Sequence, residues 1–554
     1  MEIIKTDVLI IGGGGAGMRA ALAVKEKGAE VLIVSKTPIG KSTCTYLSGG
    51  AFALAMEGFS KETHFKLTVQ AGKGINDLEL VKTLVEEAPA RIHELEKLGL
   101  RGEWRKGLFS CLGKAPSWGA PLTDVLSDAV RERGISEKPW IGIFDLLMEE
   151  GKVIGALGFE FRKGVPVALL SRATLLANGG GGAIYPRNDN PVRTTGDGYG
   201  LGFQAGCRLR DMEFVQFIPL TLAEPGSPAF LLAPPLADAG KVVNSSGEDI
   251  LAKYQIVDKP VAVRCRDSFS QAILKEEAGG EKVFLDLRSV GEKNWPKNNM
   301  SLSQMAMLRD RFSCFQKLLR ISPSVHFFAG GISTDPDGKT EIPGLYAAGE
   351  VVGGLHGANR MGGNALSEII VFGYRAGVAC AEWALAGKKP GESRALIQSR
   401  WEAFQKKWKS NGKGFTPKAL RKRMGEILWN QGGVLREEKG LQAGLEEICR
   451  LKSEELPWAS SENPKEMLEK IEVDHALSVS EMILRSALLR QESRGAHFRK
   501  DYPFMDDRKW KAGLKEIARL REVAAAWFCN SPYFDVPGKT LETFCTEFAV
   551  HGAR

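Results

Sequence analysis

The sequence predicts an α/β protein, because it opens with a strand–turn–helix–strand unit. Residues 7–11 (DVLII) form a short apolar run, and residues 31–34 (VLIV) form a second one. A glycine-rich turn at 12–17 (GGGGAG) and an alanine-rich helical pattern lie between the two runs. This order and length are typical of a parallel βαβ unit.

The glycine-rich turn has the spacing G-x-G-x-x-G. Gly12 allows a tight turn, Gly14 lets the backbone approach a pyrophosphate, and Gly17 permits close packing of helix and strand. The N-terminus of the helix then faces the phosphates. The second strand ends in Ser35-Lys36, without the acidic residue that binds the ribose of NAD. The unit therefore predicts a dinucleotide ligand and disfavours NAD.

Length and composition bound the class of protein. At 554 residues the chain is too long for one compact core, so about two to four domains are expected. Apolar residues make up 43% and charged residues 26%, which is ordinary for a globular protein. The net charge of +8 is modest and the basic residues alternate with acids, so no nucleic-acid partner is expected.

The sequence also gives expectations about location and metals. It contains no uninterrupted apolar run of about 18 residues and no cleavable leader, so we expect a cytoplasmic chain without a membrane span. The 9 cysteines are scattered and none forms a C-x-x-C pair. We therefore expect no iron–sulfur cluster, zinc site or haem, and no other metal site, within this chain.

Further segments repeat the alternation of strands, glycine turns and helices. Residues 153–182 predict three strands that end in a second glycine loop, and Asp197 precedes a helix in TTGDGYG. Residues 341–377 return to strand, glycine turn and helix, and the chain becomes helical and charged from about residue 391. Residues 213–325 between these parts predict an inserted domain.

Seven segments then occur in the order found in one family of flavoproteins. They are GGGGAGMRAA, LSGG, ANGGGGAIY, TGDG, LYAAGE, HGANRMGGNAL and ESRGAHFRKDYP. From residue 7 to about 510 the chain resembles the flavoproteins of succinate dehydrogenase, fumarate reductase and aspartate oxidase. The last two segments are the most specific. The resemblance implies a Rossmann-like FAD-binding domain that is interrupted by an α+β capping domain and followed by a C-terminal helical domain.

The same resemblance gives domain boundaries. It places the two parts of the FAD-binding domain at 1–215 and 331–390 and the capping domain at 216–330. The helical domain then covers 391–509, and residues 510–554 form a C-terminal tail.

The resemblance implies that FAD is the cofactor and assigns its contacts residue by residue. Thr43, in Lys41-Ser42-Thr43, stands where respiratory members have a histidine that is covalently bonded to FAD, so non-covalent FAD is expected. The implied contacts with FAD are Gly12, Gly14, Ala16, Gly17, Ser35, Lys36, Ser42, Thr43, Gly49, Gly50, Asp197, Gly349, Glu350, Ala365 and Leu366.

Three further residues match the family's catalytic site. His326, in SVHFFAGG, would by itself be read as a packed core histidine, but it matches the histidine that holds a substrate carboxylate. Arg360 matches the arginine that clamps this carboxylate, and Arg266 matches the arginine that delivers a proton to the substrate carbon. The implied reaction is hydride transfer between flavin N5 and the C–C bond next to a substrate carboxylate.

The sequence departs from the family where a second carboxylate would bind. The family's QFHPT reads QFIPL at 216–220, which puts Ile218 and Leu220 at polar positions. The threonine–glutamate pair of the capping domain is replaced within LLAPPLADAG at 231–240. A second carboxylate buried against Ile218 would be uncompensated and would cost several kcal/mol. The sequence therefore predicts a small carboxylate substrate with one carboxylate and an apolar or bulky far end, and not fumarate itself.

Two alternatives to this enzyme stay open. The chain could be a non-catalytic electron-transferring flavoprotein subunit of a larger redox complex, which the lost half-site favours. It could also be an amine oxidase similar to aspartate oxidase, although that activity too needs the second carboxylate site. Because the chain has no cluster or haem ligands of its own, the resemblance implies that its electron-transfer partner is a separate iron–sulfur subunit.

Overall fold

The computed structural model describes residues 1–387, 393–408 and 414–510, so the predicted tail lies outside the described residues apart from its first residue. The strands are β1 (Glu2–Lys5), β2 (Val8–Ile11), β3 (Val31–Ser35), β4 (Ala51–Ala53), β5 (Gly102–Arg105), β6 (Leu108–Cys111), β7 (Ser136–Pro139), β8 (Ile141–Glu149), β9 (Lys152–Glu160), β10 (Val165–Leu170), β11 (Ala173–Leu176), β12 (Leu209–Arg210), β13 (Val215–Leu222), β14 (Phe230–Leu231), β15 (Lys241–Asn244), β16 (Val283–Asp286), β17 (Leu319–Phe328), β18 (Gly331–Ile332) and β19 (Leu345–Ala347).

Helices occupy much of the remaining chain. The α-helices are α1 (Gly15–Glu26), α2 (Cys44–Leu47), α3 (Lys61–Ala71), α4 (Leu78–Lys97), α5 (Ala120–Glu132), α6 (Asp197–Gln204), α7 (Pro235–Ala239), α8 (Ile250–Lys253), α9 (Val261–Arg264), α10 (Arg266–Ala278), α11 (Asn299–Phe312), α12 (Asn364–Ala386), α13 (Arg394–Trp408), α14 (Pro417–Gln431), α15 (Glu438–Arg450), α16 (Pro464–Leu489) and α17 (Asp507–Trp510). Side-chain caps fix several of their starts: Ser60, Asp77, Asn298, Thr416 and Asn463 accept hydrogen bonds from backbone N–H groups of the first turn.

A five-stranded parallel sheet forms the centre of the molecule, in the order β19-β11-β2-β3-β7. The central strand β2 is buried on both faces, as its unbroken apolar run predicts. Its residues Val8 and Ile10 join a hydrophobic cluster with α1 and α12, whereas Leu9 and Ile11 pack on the opposite face. Because all five strands are parallel, their carboxyl ends lie at one edge of the sheet.

A second sheet, in the order β1-β10-β9-β8, lies beside the central sheet. Its strands β9 and β10, together with β11 of the central sheet, are the three strands that the sequence predicts in residues 153–182. A hydrophobic cluster joins this second sheet to the helical part of the chain, since it includes Phe144 and Leu157 of the sheet, Phe404 of α13 and Leu468 of α16.

The residues between the two halves of the central sheet build their own layer. Their five-stranded sheet has the order β14-β13-β17-β16-β15, and all its strand pairs are antiparallel. Helices α7 to α11 lie in the same stretch, and Leu232, Phe269 and Leu285 share its separate hydrophobic cluster. This layer matches the α+β character that the sequence predicts for the capping domain.

Helix α12 is long and apolar enough to cross a membrane by length and composition alone. Most of its apolar window is buried, because the helix packs on α1 and α4. This is the environment of a core helix of the FAD-binding domain. The cytoplasmic location and the lack of a membrane span stay predictions.

Candidate functional site

The glycine turn after β2 is shaped to admit a ligand. A side chain at Gly12, where φ is +128°, would bring its Cβ within 2.1 Å of the Ala177 carbonyl oxygen. A Cβ at Gly17 would lie 2.0 Å from the Gly12 carbonyl oxygen, so helix and strand touch here as predicted. Around Gly14, by contrast, the nearest atom to such a Cβ is Thr45 Oγ1 at 3.9 Å. The turn is therefore closed toward the protein and open at the position predicted for the pyrophosphate.

The other predicted FAD contacts follow the same edge of the central sheet. Ser35 ends β3 and precedes Lys36, whereas Gly349 and Glu350 follow β19. The remaining ones lie in or beside short elements around this edge: Ala16 in the first turn of α1, Ser42 and Thr43 before α2, Gly49 and Gly50 before β4, Asp197 in α6, and Ala365 and Leu366 in the first turn of α12. Ligands of parallel sheets bind at this edge, beyond the carboxyl ends of the strands.

Thr43 has a local structural role. It is the N-cap of α2, where its Oγ1 accepts a hydrogen bond from the Tyr46 N–H at 3.1 Å. A hydroxyl in this role has no imidazole nitrogen to offer the flavin. The geometry thus agrees with FAD that is bound without a covalent bond.

Lys36 and Asp197, which are 161 positions apart in sequence, form a buried ion pair of 2.6 Å. Burial is the largest single influence and would raise the pKa of Asp197, but the charges and hydrogen bonds of Lys36 and His475 together hold this pKa below its usual range. Glu472 of α16 also binds Lys36, at 2.8 Å, and Arg193 at 3.3 Å. The helical domain therefore contributes a carboxylate to the predicted ribose end of the FAD site, which the sequence did not reveal.

Glu350 is buried beside the second glycine loop. Its Oε1 accepts a hydrogen bond from the Phe328 N–H at 3.0 Å, and its own carbonyl oxygen accepts one from the Tyr199 hydroxyl at 2.7 Å. Burial raises the pKa of Glu350 to about 7. A carboxyl group of this kind can present either a proton or a charge to a neighbouring ligand near neutral pH.

His326 lies at an irregularity between β13 and β17. Gln216 pairs with Phe327 and Phe217 pairs with Val325, so His326 is the extra residue of a β-bulge. Bulges of this kind re-aim a side chain next to active sites. The imidazole Nδ1 lies 2.8 Å from Asp189 Oδ2, and the side chain keeps 22% of its exposure. His326 is therefore not a fully packed core histidine.

Arg266 and Arg360 are both buried, at 7% and 6% exposure. Arg266 begins α10, and Arg360 lies in the loop between β19 and α12. Burial and then the charge of Arg266 lower the pKa of Arg360 to about 9, which shows that the two guanidinium groups are close. Burial also lowers the pKa of Arg266.

The protein partners of these arginines are few. Arg360 Nη2 donates a 3.0 Å hydrogen bond to Gln216 Oε1, and its guanidinium lies 4.6 Å from the centre of the Phe327 ring. The Nε of each arginine is buried without a hydrogen-bond partner. In the ranges that the structure describes, no carboxylate forms an ion pair with either arginine. Two buried cations that no carboxylate of the described residues contacts at ion-pair distance favour an anion site, although the charges of Asp189 and Asp267 act on them from farther away.

The apolar positions of β13 divide into two groups. Ile218 pairs with Ser324 of β17, so it lies on the same strand pair as His326. A second register shift follows at Pro219-Leu220, and Leu220 packs into the core of the capping layer. Ile218 and Leu220, the two apolar replacements in QFIPL, therefore have different surroundings, because the bulge between Ile218 and Thr221 lies between them and Leu220 packs in the capping core.

The stretch that replaces the family's threonine–glutamate pair is also packed among apolar side chains. Leu232 and Ala233 have 0% exposure and belong to the same capping cluster as Leu236. The Leu232 N–H bonds to the Leu220 carbonyl oxygen at 3.0 Å, which holds the two segments together. Neither segment supplies a polar side chain for a second carboxylate.

Several site residues were not predicted. Asp189 lies in RNDN, a loop segment without periodicity, and Glu472 lies in a helix far along the chain. Gln216 stands inside the QFIPL motif and could have been found there. Over the described ranges, no group of three or more His, Cys, Asp or Glu side chains is arranged to hold a metal ion.

Comparison with known families identifies two parts of the chain. The model of the FAD binding domain matches residues 7–366, and the model of the fumarate reductase flavoprotein C-terminus matches residues 421–517. The first match alone covers more than half of the chain. The glycine turn, the parallel sheet and the anion site lie within it.

Relatives match over most of their length. A subunit of the fumarate reductase (CoM/CoB) of Methanothermobacter marburgensis is 33% identical over 91% of this chain and 95% of its own. The Escherichia coli fumarate reductase flavoprotein subunit is 30% identical over 90% of this chain and 89% of its own.

Solved structures agree with these sequence matches. A flavoprotein chain of Escherichia coli quinol fumarate reductase superposes with a TM-score of 0.82, at 29% identity over 92% of this chain and 94% of that chain. Adenylylsulfate reductase of Archaeoglobus fulgidus has a TM-score of 0.75 at 21% identity, over 92% of this chain and 93% of that chain, and shares the fold. The chain belongs to the flavoprotein family of fumarate reductase and succinate dehydrogenase, and it is an FAD-dependent oxidoreductase that acts on CH–CH groups.

Proposed function

We propose that the enzyme reduces or forms a C–C double bond next to the single carboxylate of its substrate, and that fumarate is not this substrate. The observation that carries the proposal is the pair of buried guanidinium groups, Arg266 and Arg360, without a carboxylate at ion-pair distance among the described residues. A substrate carboxylate would supply the missing charge. The apolar residues Ile218 and Leu232 supply nothing for a second one.

The arginine and the histidine hold the carboxylate in this proposal. The planar guanidinium of Arg360 offers a fork of N–H donors that matches the two oxygens of a carboxylate. Gln216 and the Phe327 ring keep that fork in place, through the 3.0 Å hydrogen bond and the 4.6 Å stacking distance. His326 binds the same carboxylate from the bulge of β17. Holding the carboxylate in this way polarises the adjacent double bond.

Bound FAD supplies the two-electron redox chemistry at the C–C bond. Arg266 supplies the proton that the second carbon needs when the double bond is reduced. Burial lowers the pKa of Arg266, which makes its guanidinium a better acid than an exposed arginine. In the opposite direction, Arg266 accepts the proton as the saturated acid is oxidised.

FAD is bound without a covalent bond in this proposal, because Thr43 caps α2 through its hydroxyl. Precipitating the protein with acid should therefore release the yellow flavin into the supernatant. Flavin that stays on the washed pellet would show a covalent bond to another residue.

The flavin exchanges electrons with a partner, for which we propose a separate iron–sulfur subunit. The relatives of Methanothermobacter marburgensis and Escherichia coli are named as subunits, which supports a complex. Purification of the native complex, followed by identification of its chains and by iron and sulfide analysis, tests this partner. A flavoprotein that purifies alone with full activity toward its physiological electron donor would refute it.

A non-catalytic electron carrier is the second candidate. The fully buried, apolar Leu232 and Ala233 favour it, because half of the family's substrate site is missing. Steady-state turnover of a panel of unsaturated acids with reduced viologen dye separates the two functions. The proposed enzyme oxidises the dye only when an acid is added, whereas a carrier does so with none of them.

A further inference from the structure

The neighbour of His326 is a carboxylate with a fixed position. Asp189 Oδ2 lies 2.8 Å from His326 Nδ1, and Asp189 Oδ1 accepts a 3.3 Å hydrogen bond from Asn190 Nδ2. Both carboxylate oxygens are therefore engaged. The side chain of Asp189 is largely buried, at 11% exposure.

The backbone around Asp189 is attached to the strand that carries His326. The Asp189 N–H bonds to the Val325 carbonyl oxygen at 3.2 Å, and the Val325 N–H bonds to the Arg187 carbonyl oxygen at 3.1 Å. Asn190 Nδ2 adds bonds to the carbonyl oxygens of Val325 and His326. Because the loop pairs with β17 at the bulge, the Asp189–His326 geometry is built by the backbone and not by a flexible side chain.

This contact decides which ring nitrogen carries a proton. An ionised carboxylate only accepts hydrogen bonds, so His326 Nδ1 must be the donor. The neutral ring then has a lone pair at Nε2, and only the imidazolium has an N–H there. His326 Nε2 has no hydrogen-bond partner in the described part of the chain and is the nitrogen left for a ligand.

A substrate carboxylate needs a donor at this nitrogen. The lone pair of the neutral ring repels a carboxylate oxygen, whereas the N–H of the imidazolium binds it with the added attraction of the charge. We propose that Asp189 is a positioning residue that restricts carboxylate binding by His326 to the imidazolium, so that the affinity for the carboxylate falls as the pH rises. This inference rests on the proposed carboxylate site.

Other ionisable groups surround this pair. The charge of Asp189 acts on Arg266 of α10, on Arg360, on Glu350 after β19 and on Cys44 of α2. Because the pKa of Arg360 is lowered to about 9, its charge is lost only toward that pH, where the loss would also weaken carboxylate binding, so the test stays below about pH 8. Glu350, which loses its proton near neutral pH, adds negative charge and acts in the same direction as the loss of the imidazolium proton.

The first experiment measures binding of crotonate to the oxidised holoenzyme from about pH 6 to 8 by the change in flavin absorbance. The apparent Kd of the unmodified protein should rise steeply with pH over this range, by up to about tenfold per pH unit. In Asp189→Asn the amide can donate to Nδ1, so the neutral ring can place its proton on Nε2. The rise should then fall to about twofold per pH unit.

Asp267→Asn is the matched control, because it removes a nearby buried carboxylate that bonds to Asn359 and not to His326. It should keep the steep rise. An equally steep rise in Asp189→Asn, or a flat profile in the unmodified protein, would overturn the proposal.

The second experiment needs no ligand. NMR of protein with ¹⁵N-labelled histidine reports the tautomer, and His326→Gln identifies the signal among the 7 histidines. The neutral ring should carry its proton on Nδ1 in the unmodified protein and partly on Nε2 in Asp189→Asn. An Nε2–H tautomer in the unmodified protein would refute the role of Asp189. Absence of crotonate binding at every pH, with the expected tautomer, would instead refute the proposed carboxylate site and the pH-dependent affinity that rests on it.

Discussion

The two sides of the proposed substrate site differ in whether their side chains have suitable partners within the protein. On the cationic side, Arg266 and Arg360 are buried without an ion pair in the described ranges, and each has an unpartnered Nε. On the capping side, Leu220 and Leu232 pack in one hydrophobic cluster and are joined by a backbone hydrogen bond. The cationic side is incomplete without an anion, whereas the capping side is complete in itself. In the proposed function, the ligand therefore brings its charge to one side only.

Among the variants that test this comparison, removal of the proton donor Arg266 should have the largest effect, and this effect should appear in kcat. Arg266→Ala should lower kcat about a thousandfold or more, since a positioned acid contributes about 10² to 10⁴ in rate and a buried charge is lost as well. Flavin should stay bound and stay reducible by dithionite, because Arg266 lies in α10 of the capping layer. Steady-state kinetics and flavin content check both parts.

Arg288→Ala is the control for this variant, because Arg288 is an exposed arginine of the same layer that pairs with Asp286. It should keep normal turnover. Near-normal turnover in Arg266→Ala would mean that another group delivers the proton or that the chain is an electron carrier.

Weakening the clamp should have a smaller effect that appears mainly in substrate binding. Arg360→Ala should raise KM for the carboxylate about 10- to 100-fold, because a charge-assisted hydrogen bond in a buried site is lost. Arg360→Lys should recover part of the binding, as a lysine keeps the charge but not the planar fork. A KM in Arg360→Ala equal to that of the unmodified protein would show that the cationic side does not bind the carboxylate.

Changes on the capping side should have the smallest effect. They test whether its apolar residues determine the affinity for dicarboxylates. Ile218→His restores the family residue beside the strand pair that carries His326, and it should raise the affinity for C4 dicarboxylates about tenfold. The control variant Leu222→Thr adds a hydroxyl group elsewhere in β13 and should not raise the affinity for C4 dicarboxylates. The companion change Leu220→Thr is expected to cost stability, because Leu220 lies in the capping core. Equal dicarboxylate affinity in Ile218→His and the unmodified protein would argue against the apolar side as the specificity determinant.

The central sheet was predictable because its determinants are local. The apolar run of β2, the glycine turn and the helical pattern of α1 lie within one stretch of residues 7–34, and each element forms as its pattern indicates. The resemblance carried by the seven family segments extended this to FAD and to Arg360, and then to Arg266 and His326, which lie outside those segments. The different surroundings of Ile218 and Leu220 were not predictable, because the register shift between Ile218 and Thr221 exists only in the folded sheet.

The contacts that were missed join residues far apart in sequence. Asp189 and His326 are separated by 137 positions, and Lys36 and Glu472 by 436. Nothing in the spacing of RNDN indicates that its loop will pair with β17, because that pairing exists only after the capping layer has formed. Burial without an ion pair is likewise a property of the folded chain, so the sequence could name Arg266 and Arg360 but not the lack of a carboxylate in contact with them among the residues that the structure describes.

The comparison of kcat/KM for crotonate with kcat/KM for fumarate, on the unmodified enzyme with reduced viologen dye, tests the one-carboxylate site most directly. The two acids share the double bond and the first carboxylate and differ at the far end, where crotonate has a methyl group. A second carboxylate buried against Ile218 is an unpaired charge, which costs far more than a lost methyl contact. We predict a value for crotonate at least about tenfold above that for fumarate. Efficient reduction of fumarate, with crotonate the poorer substrate, would contradict the account.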